Sequence, residues 1–181
     1  AYNSFLLVNV PQAVQTSYNV TINHKVVKPT VEKKVYDNFD NQDGTSTGDF
    51  GSSADHAINE KFKFQLIATL PASDDRAYDY YDKYTVCFND TLSKGITFDN
   101  LDKVEIANGD GSTSQVIDAA NYTRTPNGSQ SFTLTIDNVK TCAAAAGLNL
   151  NDGATITVTY TAHLNDNAFV NTAGGSTDNK N

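Results

Sequence analysis

Alternation of apolar and polar residues is the main pattern along the chain. Successive side chains of a β-strand point to opposite faces, so an apolar residue at every second position predicts a strand with one buried face. Five stretches follow this pattern: SYNVTINHKVV (17–27), KFKFQLIATLP (61–71), YTVCFNDTL (84–92), SFTLTIDNV (131–139) and ATITVTYTAHL (154–164). They are rich in Val, Ile, Thr, Tyr and Phe, the residues that favour strands.

Clusters of Gly, Asn, Asp and Ser separate these stretches and predict turns. They are DNQDGTSTGDFGSS (40–53), NGDGSTS (108–114), TPNGSQ (125–130) and NDG (151–153). A helical turn is predicted only in KTCAAAAG (140–147), where Gly147 can end it. The pattern therefore predicts an all-β fold, an antiparallel β-sandwich in which each strand buries one face.

The stretch VKPTVEKKVYD (27–37) places a lysine where a core residue is expected. Lys33 shares its parity with Val31 and Val35, so its side chain should point into the sandwich. A lysine is almost never fully buried without a partner. Asp90 has the parity of Phe88 in a separate predicted strand and should face the same core.

Two interpretations of Lys33 and Asp90 remain open from these residues alone. The first is a buried ion pair, in which desolvation offsets most of the attraction. The second is covalent, because desolvation lowers the pKa of a lysine and raises that of an aspartate. A neutral amine beside a carboxylic acid could attack the side-chain amide of an asparagine and form an amide bond once.

Composition excludes several classes of function. The net charge is −8, from 21 acidic and 13 basic residues, which argues against a nucleic-acid partner. No apolar run approaches the length of a membrane span. The two cysteines, Cys87 and Cys142, lack metal-ligand spacing; they could form a disulfide in an extracellular protein or remain as two buried thiols.

No catalytic motif appears, so the sequence predicts neither an enzyme nor a cofactor. His24, His56 and His163 are single and scattered, and the parity of His163 places it on a surface. We expect no metal site. The acidic stretch DNFDNQDGTSTGDF (37–50) could supply oxygens to calcium, but its spacing does not match an EF-hand, and a polar loop is the simpler interpretation.

The pattern also suggests a domain boundary near Val26. About two strands precede it, too few for a stable unit, so residues 1–26 are expected to be the C-terminal remnant of a preceding domain with its linker. Residues 27–181 would then form the sandwich domain.

Four stretches resemble the middle domain of the major shaft pilins of Gram-positive bacteria, which sortases polymerise. They are KPTVEKKV (28–35), FQLIATLP (64–71), CFNDTLSKGITF (87–98) and VTYTAHLNDNA (158–168). The resemblance implies an immunoglobulin-like sandwich of the collagen-adhesin A-region type and an intramolecular isopeptide bond. It also implies a structural role in an extracellular pilus anchored to the cell wall, with other pilin subunits and possible host surfaces as partners.

In that family a first-strand lysine bonds to a late-strand asparagine, promoted by a buried acid. The resemblance assigns these roles to Lys33, Asn165 and Asp90. Asn165 has the parity of His163, so a β-bulge or the strand's end must turn it inward; Asn167 and Asn171 are the alternatives.

The first residues extend the resemblance to the end of a pilin's first domain. Val20, Ile22 and Lys25 match the pilin motif, whereas Thr16, Asn23 and His24 do not. Lys25 is thereby implied as the inter-subunit lysine, which attacks the sortase-bound C-terminus of another subunit; a lysine exposed in a linker is the alternative.

A ligand-binding domain of a surface adhesin is the alternative function. It would share the fold but require clustered exposed aromatic side chains. The stretch AYDYYDKY (77–84), with its four tyrosines, is the candidate for such a surface.

Overall fold

The computed structural model describes residues 28–40, 46–127 and 130–168 of the 181-residue chain. The predicted boundary at residue 26 lies outside this part, as does the strand predicted at residues 17–27. The described strands are β1 (Thr30–Asp40), β2 (Ser46–Gly51), β3 (Lys61–Leu70), β4 (Val86–Thr91), β5 (Ile96–Asn108), β6 (Ser114–Val116), β7 (Tyr122–Pro126), β8 (Ser131–Ile136) and β9 (Ala154–Leu164).

The described strands form two antiparallel sheets. The large sheet has the order β2-β1-β3-β9-β5-β6, and the small sheet has the order β4-β8-β7. The sheets enclose one apolar core. This arrangement confirms the predicted all-β sandwich.

The predicted alternation holds in the strands that form the centre of each sheet. Every second residue of β3 and β9 is buried, and the same is true of β8. The buried faces contain the residues expected from sequence: Phe62, Phe64, Leu66, Ala68, Leu70, Phe132, Leu134, Ile136, Ile156, Val158, Tyr160 and Ala162.

The longest described strand, β5, was not predicted. It pairs with β9, but its register shifts between Phe98 and Asn100 and again between Leu101 and Lys103. Each such β-bulge adds one residue and reverses the parity of the positions that follow. The core-facing residues are therefore Ile96, Phe98, Leu101, Val104 and Ile106, a spacing that hides the period of two.

The acidic stretch expected to be a polar loop is largely a β-hairpin. β1 pairs with β2 from Val35 opposite Gly51 to Asp40 opposite Ser46. Asp37 and Asp49 are directly opposite each other in this ladder. Among the described residues no cluster of His, Cys, Asp and Glu could hold a metal ion.

The predicted helical turn is present as α1 (Val139–Ala145). The side chain of Asn138 caps it by accepting a hydrogen bond from the Lys140 N–H. Gly147 follows with a φ of 70°, a conformation that glycine adopts without a steric penalty. Nothing among the helices described is long and apolar enough to cross a membrane.

Substitution of Leu134 measures how much the central strand of the small sheet contributes to stability. Leu134 is fully buried on β8, opposite Phe88 of β4. Leu134→Ala should lower the free energy of unfolding by about 2–5 kcal/mol, because it removes buried apolar contacts and leaves a cavity. Urea unfolding provides the measurement. The exposed strand residue Val116 supplies the control, since Val116→Ala should change stability by only about 0.5 kcal/mol. Equal effects of the two variants would contradict this description of the core.

Candidate functional site: a lysine, an aspartate and a tyrosine between the sheets

Lys33 extends from the large sheet toward the interior, as its parity predicted. It lies on β1 opposite Leu66 of β3, and its side chain is 23% exposed. The Nζ atom lies 4.8 Å from the ring centroid of Phe64 and 5.7 Å from that of Tyr160. The ammonium group therefore rests against two aromatic faces, which attract a cation.

Asp90 meets Lys33 from the small sheet. It lies on β4 opposite Phe132, is 7% exposed, and accepts a hydrogen bond of 2.7 Å from Lys33 Nζ to its Oδ1 atom. Its other oxygen, Oδ2, accepts a hydrogen bond of 2.7 Å from the hydroxyl of Tyr160. Both carboxyl oxygens thus have a donor, and Lys33, Asp90 and Tyr160 join three strands from the two sheets.

Burial changes the acidity of the two donors. Desolvation lowers the pKa of Lys33, although the hydrogen bond and charge of Asp90 act in the opposite direction. Desolvation also raises the pKa of Tyr160 far above its usual range, and the charge of Asp90 reinforces this. Tyr160 therefore remains a hydrogen-bond donor, while the amine of Lys33 is easier to deprotonate than that of an exposed lysine.

The structure confirms the predicted pairing of Lys33 with Asp90, whereas Tyr160 was missing from the predicted site. Tyr160 has the same parity as Val158 and Ala162 and is fully buried with them. A buried tyrosine hydroxyl usually needs a hydrogen-bond partner. That requirement, together with the inward parity of Asp90, was the signal from which the hydrogen bond between Tyr160 and Asp90 could have been predicted.

Asn165 is not brought to Lys33 in this structure. Lys33 is in register with Leu66, which is in register with Val158, and Asn165 lies seven residues further along the chain. At about 3.3 Å per residue this corresponds to roughly 23 Å along β9, well beyond the reach of a lysine side chain. The separation follows from an unbroken register between β3 and β9: the expected bulge in β9 is missing from this pairing, and the bulges lie in β5.

The side chain of Asn165 has its own partners at the end of β9. Its Nδ2 atom donates to the carbonyl oxygen of Lys94 at 3.0 Å and to Oγ1 of Thr97 at 2.9 Å. Its Oδ1 atom accepts a hydrogen bond from the Asn167 N–H at 2.8 Å. Asn165 and Asn167 line an open depression of about 350 Å³ with Lys94, Thr97 and Gln130. Asn171 lies outside the described residues.

The edge of β1 next to β2 is only partly paired. The pairing of β1 with β2 begins only at Val35, so the edge of residues 30–34 has no partner strand within the described part of the chain. Val31 has the inward parity of Lys33 but is 72% exposed. The core-facing side of β1 is therefore open at Val31 and largely covered at Lys33, which is 23% exposed.

The remaining candidate residues lie elsewhere. Lys25 falls outside the described residues. Cys87 and Cys142 are both free thiols: Cys87 is exposed on β4, with Sγ 3.4 Å from Thr135 Oγ1, whereas Cys142 belongs to α1 and packs into the core. Because one thiol points outward and the other inward, the disulfide considered from sequence is not formed.

The tyrosines of residues 77–84 divide between the core and the surface. Tyr78 is buried, donates its hydroxyl hydrogen to the Pro71 carbonyl, and has a pKa raised to about 12 by desolvation. Tyr80 and Tyr81 are exposed. A small cavity of about 220 Å³ lies beside Tyr78 and Lys140.

The fold is similar to that of the pilus backbone protein RrgB from Streptococcus pneumoniae. The full-length major pilin RrgB matches with a TM-score of 0.51 and 21% identity, over 82% of this chain and 22% of that chain. A second full-length structure and one described as the pilus backbone match at 20% identity over 80% of this chain, with TM-scores of 0.47 and 0.48. They are covered over 21% and 29% of their own lengths, so this chain spans less than a third of these proteins. No family model and no curated protein matches the sequence. The likeness shows a pilin-like β-sandwich fold.

The hydroxyl of Tyr160 can be removed without changing the ring. Tyr160→Phe should lower the free energy of unfolding by about 1–3 kcal/mol, because Oδ2 of the buried Asp90 then loses its donor. Chemical denaturation measures the effect. Tyr80→Phe is the matched control, since Tyr80 is 86% exposed, and it should leave stability nearly unchanged. An unchanged free energy of unfolding in Tyr160→Phe would show that this hydrogen bond does not stabilise the site.

The two thiols should differ in reactivity. Cys87 should react with a thiol reagent in the native protein, whereas Cys142 should react only after unfolding, because the core covers it and desolvation raises its pKa. A colorimetric titration in native and denaturing buffers gives the count. Absence of free thiols after denaturation would instead reveal a disulfide.

Proposed function

We propose that this chain is a structural module of a surface pilus, stabilised by an intramolecular amide bond formed on Lys33. The observation that carries the proposal is the contact of Lys33, Asp90 and Tyr160 inside the sandwich. A pilin-like fold supports the pilus role, and the motifs around Lys33 and Asp90 support the bond. The module acts without turnover, so it is not an enzyme in the usual sense.

The chemistry begins with a proton transfer along the 2.7 Å hydrogen bond from Lys33 Nζ to Asp90 Oδ1. The neutral amine then attacks the side-chain carbonyl carbon of an asparagine and forms a C–N bond. The carboxamide loses its own C–N bond, and its NH₂ group takes one proton from the attacking nitrogen and leaves as ammonia. The proton placed on Asp90 stays there, where it can hydrogen-bond to the new amide.

Tyr160 has a positioning role in this scheme. Its hydroxyl donates to Oδ2, which leaves Oδ1 facing Lys33. Because its pKa is strongly raised, the Tyr160 hydroxyl stays protonated and cannot accept the proton that Lys33 gives to Asp90. Burial of the amine lowers the pKa of Lys33, which favours its neutral form.

The asparagine that supplies the acyl group remains one of three. Asn165 is the residue implied by the resemblance, but it would have to leave Lys94 and Thr97 and cross most of the length of β9. Asn167 adjoins it, and Asn171 lies outside the described residues. The open edge at residues 30–34 is the side from which a carboxamide could reach Lys33.

The bond would stabilise the module mainly through the unfolded chain. With an asparagine near the end of β9, it closes a loop of about 130 residues, which by analogy with a disulfide contributes roughly 5 kcal/mol. It also replaces a buried charge with a neutral amide, which removes a desolvation cost. Both effects suit a subunit of an extracellular, cell-wall-anchored shaft.

Assembly is the second part of the proposed function. Lys25 would be the amine that sortase joins to another subunit, so other pilin subunits would be the principal partners. The proposal includes no cofactor, metal or nucleic acid. Ligand binding by an adhesin is a second candidate function, favoured by the exposure of Tyr80 and Tyr81, and a glycan and collagen binding screen would test it.

The mass of the intact protein tests the amide bond. The full-length protein should weigh one ammonia less than its sequence mass, because amide formation releases ammonia. Peptide mapping should show the peptide containing Lys33 joined to one containing Asn165, Asn167 or Asn171. Lys33→Ala should restore the full mass expected for that variant and lower its melting temperature.

Two further variants sharpen this test. Lys34→Ala is the matched control, because Lys34 has the opposite parity to Lys33 and pairs with Glu32; it should retain the mass deficit. Asp90→Asn should leave the amide unformed, since Lys33 then lacks its proton acceptor. A wild-type mass equal to the sequence mass would overturn the covalent proposal and leave an ordinary ion pair.

A further inference from the structure

The turn before β3 contains a histidine with two hydrogen bonds. The Nδ1 atom of His56 lies 3.2 Å from Oε1 of Glu60, and its Nε2 atom lies 2.8 Å from the backbone carbonyl oxygen of Tyr36. The ring stacks on Phe62 with a centroid separation of 4.1 Å and an angle of 6°. The side chain is 4% exposed, so water does not replace these partners.

Both partners of His56 are hydrogen-bond acceptors. A carbonyl oxygen cannot donate, and an ionised carboxylate cannot donate either. Glu60 is ionised, because hydrogen bonds from the Ala57 N–H and from His56 lower its pKa. A neutral imidazole carries one N–H group and can satisfy only one of these acceptors. A ring with an N–H group on both nitrogens would satisfy both acceptors at once.

The two hydrogen bonds join strands at a point where direct pairing stops. β1 pairs with β3 only as far as Val35 opposite Phe64. His56 reaches the next residue of β1, Tyr36. The same turn contacts the end of β9, where the Asn59 N–H donates to the Leu164 carbonyl oxygen at 2.8 Å and Ile58 forms a parallel bridge to Leu164.

We propose that residues 55–60 form a proton-dependent clasp between β1 and β9. The clasp is closed when His56 carries a proton on both ring nitrogens and Glu60 is ionised. When the ring loses one proton, one of the two acceptors loses its donor, and the turn loosens from β1. This device is separate from the proposed amide bond, because none of its residues contacts Lys33, Asp90 or Tyr160 in the described contacts.

The clasp can be weakened through either of its two ionisable groups, Glu60 and His56. Protonation of Glu60 at low pH removes the acceptor of Nδ1; since its folded pKa is lowered, this contribution is lost as pH falls through that folded value. If the ring carries only one N–H, one of its two acceptors, Glu60 or Tyr36, is left without a donor.

Neighbouring charged groups do not replace Glu60 in this role. Asp55 is adjacent in the turn, Asp37 follows Tyr36 on β1, and Lys61 begins β3 opposite His163 of β9. The contact to His56 from β3 is the uncharged ring of Phe62. Glu60 is the one ionised side chain with a described hydrogen bond to the imidazole.

His163 provides an internal comparison. Its Nδ1 atom lies 3.0 Å from both carboxyl oxygens of Asp99, and it is half-buried rather than on an open surface as its parity suggested. One N–H on Nδ1 satisfies this contact, so a neutral ring suffices. The two histidines should therefore differ in how their surroundings respond to loss of a proton.

Nitrogen-detected NMR of histidine-labelled full-length protein tests the proposal directly. At about pH 6, the ring of His56 should show two protonated nitrogens. As the pH is raised to about 8, the Asn59 amide should lose hydrogen-exchange protection by about tenfold, the loss expected for one charge-assisted hydrogen bond. Exchange rates are corrected for their intrinsic pH dependence.

Two variants distinguish a clasp from a structural histidine. Glu60→Gln supplies a side chain that can donate to Nδ1, so a neutral His56 can still bond to Tyr36; protection of Asn59 should become independent of pH. His163→Gln should leave the pH dependence of Asn59 unchanged. A singly protonated His56 at about pH 6, or an unaltered pH dependence in Glu60→Gln, would overturn the proposal.

Discussion

The contact between Lys33 and Asp90 joins the two sheets of the sandwich across their interior. Asp90 is buried, and both of its carboxyl oxygens are occupied by donors from the large sheet. A buried carboxylate without these donors would be costly, so Lys33 and Tyr160 must be in place for β4 to pack where it does. The apolar residues around the group supply most of the stabilisation, but these polar contacts select one alignment of the sheets.

The same contact explains why a lysine is acceptable in a core-facing position. Its amine lies against the rings of Phe64 and Tyr160 and reaches Asp90, and its side chain remains 23% exposed. Structure and reactivity arise from the same arrangement here. An amine that is desolvated and hydrogen-bonded to a carboxylate is easier to deprotonate than that of an exposed lysine.

Sequence patterns predicted the elements whose alternation is regular. The buried faces of β3, β8 and β9 and the inward positions of Lys33 and Asp90 followed from parity alone. β5 did not, because its two bulges change the parity twice within one strand. The location of Asn165 also depended on a bulge, and bulges leave no clear mark in a single sequence. His56 could not be placed, because its partners are a backbone carbonyl and a turn residue whose positions depend on tertiary structure.

The directions of β1 and β9 have a mechanical consequence. Both strands are antiparallel to β3, which lies between them, so they run in the same direction. The start of β1 and the end of β9 therefore lie at opposite ends of the large sheet. A force applied at these two points would act along the strands and load the hydrogen bonds of both ladders in shear. Bonds loaded in this way must yield together rather than one after another, which makes the sheet resistant to extension along its strands.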